Sequence, residues 1–125
     1  MQDLIKEFMG KKRFAVIGAS DNPEKYGNRI VKNLKARGYE VFPVNPRLKE
    51  VEGLVCFSSV ADIPCKVDVA VFVVPPAIIE EVLKQCVGLG IRRIWLQPGS
   101  ENEASISYCR ENNLNVVYNV FVMMS

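Results

Sequence analysis

Short apolar runs recur along the chain, and helical periodicity fills the gaps between them. The runs are RFAVIG (13–18), YEVFPV (39–44), VDVAVFVV (67–74), RIWLQ (93–97) and NVVY (115–118). Between them, residues 27–37 carry Ile30, Val31, Leu34 and Ala36 at helical spacing. Residues 77–88 carry Ile78, Ile79, Val82, Leu83, Cys86 and Val87, and residues 101–112 carry Ala104, Ile106, Tyr108 and Cys109. Strands separated by helices of about 10–15 residues pair in parallel through right-handed crossovers. The expected fold is therefore α/β, a Rossmann-like three-layer sandwich around a mostly parallel sheet of five to six strands. The most apolar strands should be buried on both faces. Leu54 to Phe57 reads as a weak third strand, giving the expected order 3-2-1-4-5.

Local signals punctuate this pattern. Residues 2–9 read as a short amphipathic helix stopped by Gly10, and Gly38 stops the helix over 27–37. Pro43 lies inside the second strand, so its nitrogen should face away from a ladder partner or sit at a bulge. Ser58 to Asp62 reads as a single helical turn, and Pro76 suits the first turn of the next helix. Residues 119–125 receive no assignment.

Composition removes whole classes of chemistry. The 125 residues fit one domain, with no linker or second composition zone. There is no histidine. Ser-His-Asp and Cys-His catalysis and histidine-ligated zinc are thereby excluded. Cys56, Cys65, Cys86 and Cys109 form no C-x-x-C pair and read as small buried apolar residues in a reducing compartment. A net charge of +2, with scattered basic residues, is a poor footprint for nucleic acid. No apolar run reaches the ~20 residues of a membrane span, and the expected location is cytoplasmic.

Open parallel sheets bind ligands at the carboxyl ends of their strands. Those ends are Gly18-Ala19-Ser20, Val44-Asn45-Pro46-Arg47, Val74-Pro75-Pro76 and Gln97-Pro98-Gly99. The loop from Gly18 to Arg29 carries glycine where backbone must turn or approach a ligand, and it leads into a helix N-terminus that attracts phosphate. Ser20, Tyr26, Asn28 and Arg29 belong to that candidate set. The fingerprint G-x-G-x-x-G is absent. After the second strand the chain has Asn45 and Arg47 where an NAD site usually carries a carboxylate. An arginine there takes a phosphate, which leaves coenzyme A and NADP open. Val74-Pro75-Pro76 forms a rigid apolar ledge suited to an adenine face. Glu101, Glu103 and Cys109 are candidate acids and nucleophiles, but early helix carboxylates usually serve the helix dipole.

The runs VIGAS, NP and GNRIVKNLKARGYEVFPVNPR, followed by VPP and WLQPG, resemble the small CoA-binding domain proteins. They are similar to the N-terminal domain of the succinyl-CoA synthetase alpha subunit. The resemblance covers about residues 12–118. It implies a Rossmann-like domain that holds CoA, and the expected function is stand-alone binding of coenzyme A or acyl-CoA without chemistry of its own. On it, Gly18, Ala19 and Ser20 meet the pyrophosphate with help from Asn28 and Arg29. Asn45, Pro46 and Arg47 flank the adenosine and its 3′-phosphate. Val74, Pro75 and Pro76 border the adenine or the start of the pantetheine arm, and Gly99 lies towards its far end. Two positions depart from the family pattern: Val74 stands where many relatives have arginine, and Asn119-Val120-Phe121 where many have Asp-Arg-Cys. The synthetase's second domain has no counterpart here. The rival expectations are an NADP-binding reductase domain and an interaction module with a vestigial cleft.

Overall fold

In the computed structural model, which describes residues 1–125, the alternation of the sequence becomes an alternation of layers. The elements in order are α1 (Gln2–Met9), β1 (Arg13–Ile17), α2 (Tyr26–Ala36), β2 (Glu40–Val44), β3 (Glu50–Val51) and β4 (Leu54–Val55). A 3-10 turn (Val60–Asp62), β5 (Val69–Phe72), α3 (Pro76–Leu89), β6 (Arg93–Leu96), α4 (Glu103–Glu111), β7 (Asn115–Val117) and a last 3-10 turn (Val122–Met124) follow. Five strands form a parallel sheet in the order β2-β1-β5-β6-β7.

The two-residue period of each strand sorts its side chains between two cores. Phe14 and Val16 of β1, with Val69, Val71, Trp95 and Val117, pack against Phe8 of α1 and Ile30, Val31 and Leu34 of α2. Ala15 and Ile17, with Ala70, Phe72, Ile94 and Leu96, pack against Ile79, Leu83 and Cys86 of α3 and Cys109 of α4. Both faces of the sheet are covered, as the unbroken apolar runs require. No helix is long and apolar enough to cross a membrane.

One expected strand is replaced by a smaller device. Residues 54–57 do not join the sheet as a strand. Leu54 and Val55 pair antiparallel with Val51 and Glu50, across a turn whose two residues, Glu52 (φ 50°) and Gly53 (φ 77°), both take positive φ. That is the twist a two-residue hairpin demands. Only Phe57 reaches the sheet edge, through a single parallel bridge to Val44. Pro43 accounts for part of this. The Val44 carbonyl faces β1 and accepts from the Gly18 amide, so Pro43 faces outward, where its carbonyl accepts from the Phe57 amide at 2.9 Å. A proline on that outer edge offers no N–H for a longer ladder. The expected orientation of Pro43 is thus observed, and the main sheet has five strands rather than six.

Cys56, Cys86 and Cys109 are buried free thiols, and Cys65 is partly exposed. Burial pushes Cys86 up to about 12, with the neighbouring Cys109 adding to the effect, and burial pushes Cys109 up to about 11. Unfolding returns both to water, where a thiol ionises near 9.0. The unfolded chain then loses protons that the native chain keeps, so the stability contribution is intact below pH 9 and falls as pH rises towards 11. Urea midpoints measured from pH 8 to 10.5 should therefore fall more steeply in the wild type than in a Cys86→Ala, Cys109→Ala variant. Parallel slopes would contradict this assignment.

Candidate ligand-binding site

At the centre of the sheet β1 and β5 are neighbours, and their outgoing helices leave for opposite faces. The Val73 amide donates to the Ile17 carbonyl at 2.8 Å, which keeps the two strand ends together as the chains diverge. Gly18 sits at this fork with φ of 96°. A Cβ there would lie 2.5 Å from the Val73 carbonyl oxygen and 2.7 Å from Cγ1 of Val74. Gly27, in the first turn of α2, is as constrained: a Cβ on it would run into the Gly18 carbonyl oxygen. Two glycines nine positions apart thus let β1, β5 and α2 meet with main chain against main chain.

The loop between them is pinned by its own polar groups. The amides of Gly18 and Ala19 both donate to the Val44 carbonyl, at 3.1 and 3.2 Å. These two N–H groups are therefore used inside the fold. Asn45 Nδ2 donates to the Ala19 carbonyl at 2.8 Å, and Asn45 Oδ1 accepts from the Arg47 amide at 2.9 Å. Asn28 is fully buried, and its Nδ2 donates to the Ser20 carbonyl and to Oε2 of Glu52, both at 3.0 Å. Ser20 Oγ accepts from the Asn22 amide, closing a local turn. Asn28 and Asn45 thus serve first as ties between the β1–α2 loop, the hairpin and the end of β2.

The open donors lie one step further along the chain. Lys25 caps α2 in extended conformation with no side-chain hydrogen bond, and the first turn holds no acidic residue. The Ser20, Tyr26 and Gly27 amides find no acceptor in the protein. They border a polar cavity of about 450 Å³ formed by Gly18, Ala19, Ser20, Glu24, Lys25, Tyr26, Gly27, Asn45 and Val73. An unsatisfied helix N-terminus carries roughly half a positive charge and favours anions. Arg29 lies beside it, its guanidinium 5.9 Å from the centre of the Tyr26 ring. The Arg29 and Arg47 side chains are exposed and neither enters a salt bridge, for the ion pairs of the fold are Arg13–Glu40 and Arg93–Glu7. Glu24, on the same wall, is the one carboxylate among the cavity's residues.

Gly18 and Asn45 also border a second, more apolar cavity of about 320 Å³ on the α3 side. Its walls include Val44, Pro46, Val60, Val74, Ile78 and Val82, with Ser58, Ser59 and Gln85 as polar groups. The two cavities form one cleft along the carboxyl ends of the strands. Gly18, Ala19, Ser20, Tyr26, Asn45, Pro46 and Val74 line it. Asn28, Arg29, Arg47, Pro75 and Pro76 line neither cavity: Arg47 follows Pro46 in the chain, Arg29 lies in the first turn of α2, and Pro75 and Pro76 open α3 behind Val74. Gly99 lies on the same rim in the β6–α4 loop (φ 96°), outside both cavities. Sequence reasoning missed Ser58, Ser59, Ile78, Val82 and Gln85. The Ser59 hydroxyl donates to Gln85 Oε1 at 3.2 Å and also accepts from the Ala61 amide. The paired serines before a helical turn were visible in the chain, but their place beside α3 was not.

A family model described as a CoA binding domain matches residues 12–125. The chain is 39% identical over 92 residues to the alpha subunit of the ADP-forming acetate–CoA ligase II of Pyrococcus furiosus. That match covers 73% of this chain and 20% of the ligase subunit, so the chain spans about one fifth of that relative's length. It is 30% identical over 126 residues to the uncharacterised protein YneT of Bacillus subtilis, covering 97% of this chain and 90% of that one. Among solved structures, a conserved hypothetical protein from Pyrococcus furiosus superposes with a TM-score of 0.88 at 42% identity. It covers 91% of this chain and 98% of its own.

With φ of 96° and a carbonyl 2.5 Å from the new Cβ, Gly18→Val should lose about 2–4 kcal/mol of stability. Asn45→Asp, which cannot donate to the Ala19 carbonyl, should lose about 1–3 kcal/mol. Denaturant unfolding checks both, and wild-type midpoints would refute this account of the fork.

Proposed function

The chain belongs to the CoA-binding domain family, and from that premise we propose that it binds coenzyme A or an acyl-CoA without catalysing a reaction on it. The observation that carries this reading is the uncapped start of α2, open into a cleft that is polar at one end and apolar at the other. A CoA nucleotide has the same polarity along its length, with a pyrophosphate, a 3′-phosphate and a flat adenine. The Tyr26, Gly27 and Ser20 amides donate to the pyrophosphate, with Arg29 adding charge. The neighbouring Gly18 and Ala19 amides, already bound to Val44, shape the turn rather than hold the anion. Arg47 takes the 3′-phosphate. Val44, Pro46, Val74 and Ile78 pack against the adenine, with Pro75 and Pro76 keeping that ledge rigid. Gly99 leaves the rim clear for the pantetheine arm.

The residues fit such a ligand on a point of charge. The only carboxylate on the polar wall, Glu24, is exposed to solvent, and its backbone amide is tied into the local turn by donating to Asn22 Oδ1. No cluster of three potential metal ligands exists. Glu101 is engaged locally, its carboxylate accepting from the Gly99 amide at 3.0 Å. Cys109 is buried under α4 and away from the cleft. Two of the three groups that the sequence offered as acids or nucleophiles, Glu101 and Cys109, are thus engaged or buried, and Glu103 sits in the first turn of α4, which supports a binding role.

Calorimetric titration of CoA, dephospho-CoA and NADPH tests the reading. CoA should bind most tightly, and Arg47→Glu should weaken CoA by about 1.5–3 kcal/mol while barely altering dephospho-CoA. Equal losses for both ligands would remove Arg47 from the 3′-phosphate. Tighter binding of NADPH would replace coenzyme A as the ligand.

A further inference from the structure

Residues 118–125 leave β7 at the far edge of the sheet and turn back across the face that carries α1 and α2. Asn119 makes the turn at φ of 63°, a left-handed conformation uncommon for a residue with a side chain. Four contacts then hold the segment. Trp95 Nε1 donates to the Val120 carbonyl at 2.8 Å, and the Val122 amide donates to Gln97 Oε1 at 3.1 Å. The Arg37 guanidinium donates to the carbonyls of Val122 and Ser125, at 3.5 and 2.6 Å. The Phe121 ring lies against that of Tyr26, with centroids 5.4 Å apart and planes at 31°.

Three of these contacts fasten the segment to the sheet and to the end of α2. The fourth reaches the other end of α2, at the residue that opens the helix and carries one of its free amides. Tyr26 is otherwise poorly held. It is 49% exposed, and the other contact of its ring is the exposed Arg29 guanidinium, 5.9 Å from the ring centre. A first helical turn without a cap frays readily. Phe121 supplies from 95 positions away the packing that the missing cap does not.

Building on the anion cradle proposed above, we propose that Phe121 is a positioning residue for it. Phe121 holds the Tyr26 ring, and with it the first-turn amides, in the orientation that receives the pyrophosphate. Ligand and segment 119–125 consequently stabilise each other, because coupling between two sites is reciprocal. An aromatic contact of this kind is worth about 3–10-fold in an equilibrium constant. Pre-organisation passes that factor to affinity.

Hydrogen exchange on the full chain, with and without CoA, gives the first test and requires no variant. CoA should slow exchange at residues 120–123 as well as at residues 26–29. Phe121→Ala should weaken CoA by about 3–10-fold and abolish the protection at 120–123, Phe121→Tyr should restore both, and Tyr26→Ala should add nothing to Phe121→Ala. A wild-type protein that binds CoA with no change at 120–123, or a Phe121→Ala protein of wild-type affinity, would overturn the coupling and leave the proposed function standing. Absence of CoA binding by the wild type would overturn both.

Discussion

Three stretches of main chain meet at Gly18, and the remaining structure is arranged around that contact. The end of β1 lies against the end of β5, and the start of α2 lies against the Gly18–Ala19 turn. A side chain at Gly18 would push Val73 away, and one at Gly27 would push α2 off the loop. With neither present, α2 packs closely over β1 and aims its N-terminus at the rim. The cleft exists because α2 and α3 then depart to opposite sides of the sheet from adjacent strands. Its position follows from topology, and its shape from two missing side chains.

Electrostatics and hydrogen bonding divide the work within this fork. The Gly18 and Ala19 amides are spent on the Val44 carbonyl, and the Asn45 side chain donates to the Ala19 carbonyl through Nδ2 and accepts from the Arg47 amide through Oδ1. These bonds make the loop rigid. They leave the Ser20 amide and the first-turn amides of α2, rather than those of Gly18 and Ala19, as the free donors. Asn45 is fixed by loop geometry, for an aspartate in its place would fail to donate to the Ala19 carbonyl. On the function proposed above, it would also repel the ligand's phosphate.

Parts of the molecule were legible because they depend on local pattern. The run VDVAVFVV is buried on alternate sides along β5, and the helical stripe from Ile78 to Val87 becomes α3, begun by Pro76 and ended by Gly90 in the left-handed conformation. The hairpin at 50–55 was less legible. Its two arms are two residues each, too short for periodicity to register, and the apolar signal of residues 54–57 resembles that of an edge strand. The segment after residue 118 was illegible for a different reason. The contacts that seat Val120, Phe121 and Val122 on the fold are all distant in sequence, to Trp95, Tyr26, Gln97 and Arg37.

From its sequence alone, this chain determined its alternation of strands and helices, its parallel pairing and the absence of histidine chemistry. All of these follow from side-chain period, turn residues and composition, which act over a few positions at a time. Only the tertiary structure decided which amides remain free, that Asn28 and Asn45 are ties within the fold, and that Phe121 stands against the opening residue of α2. Those outcomes depend on which distant groups satisfy one another once the layers close, and hydrogen-bond pairing across the fold leaves no periodic trace in the chain.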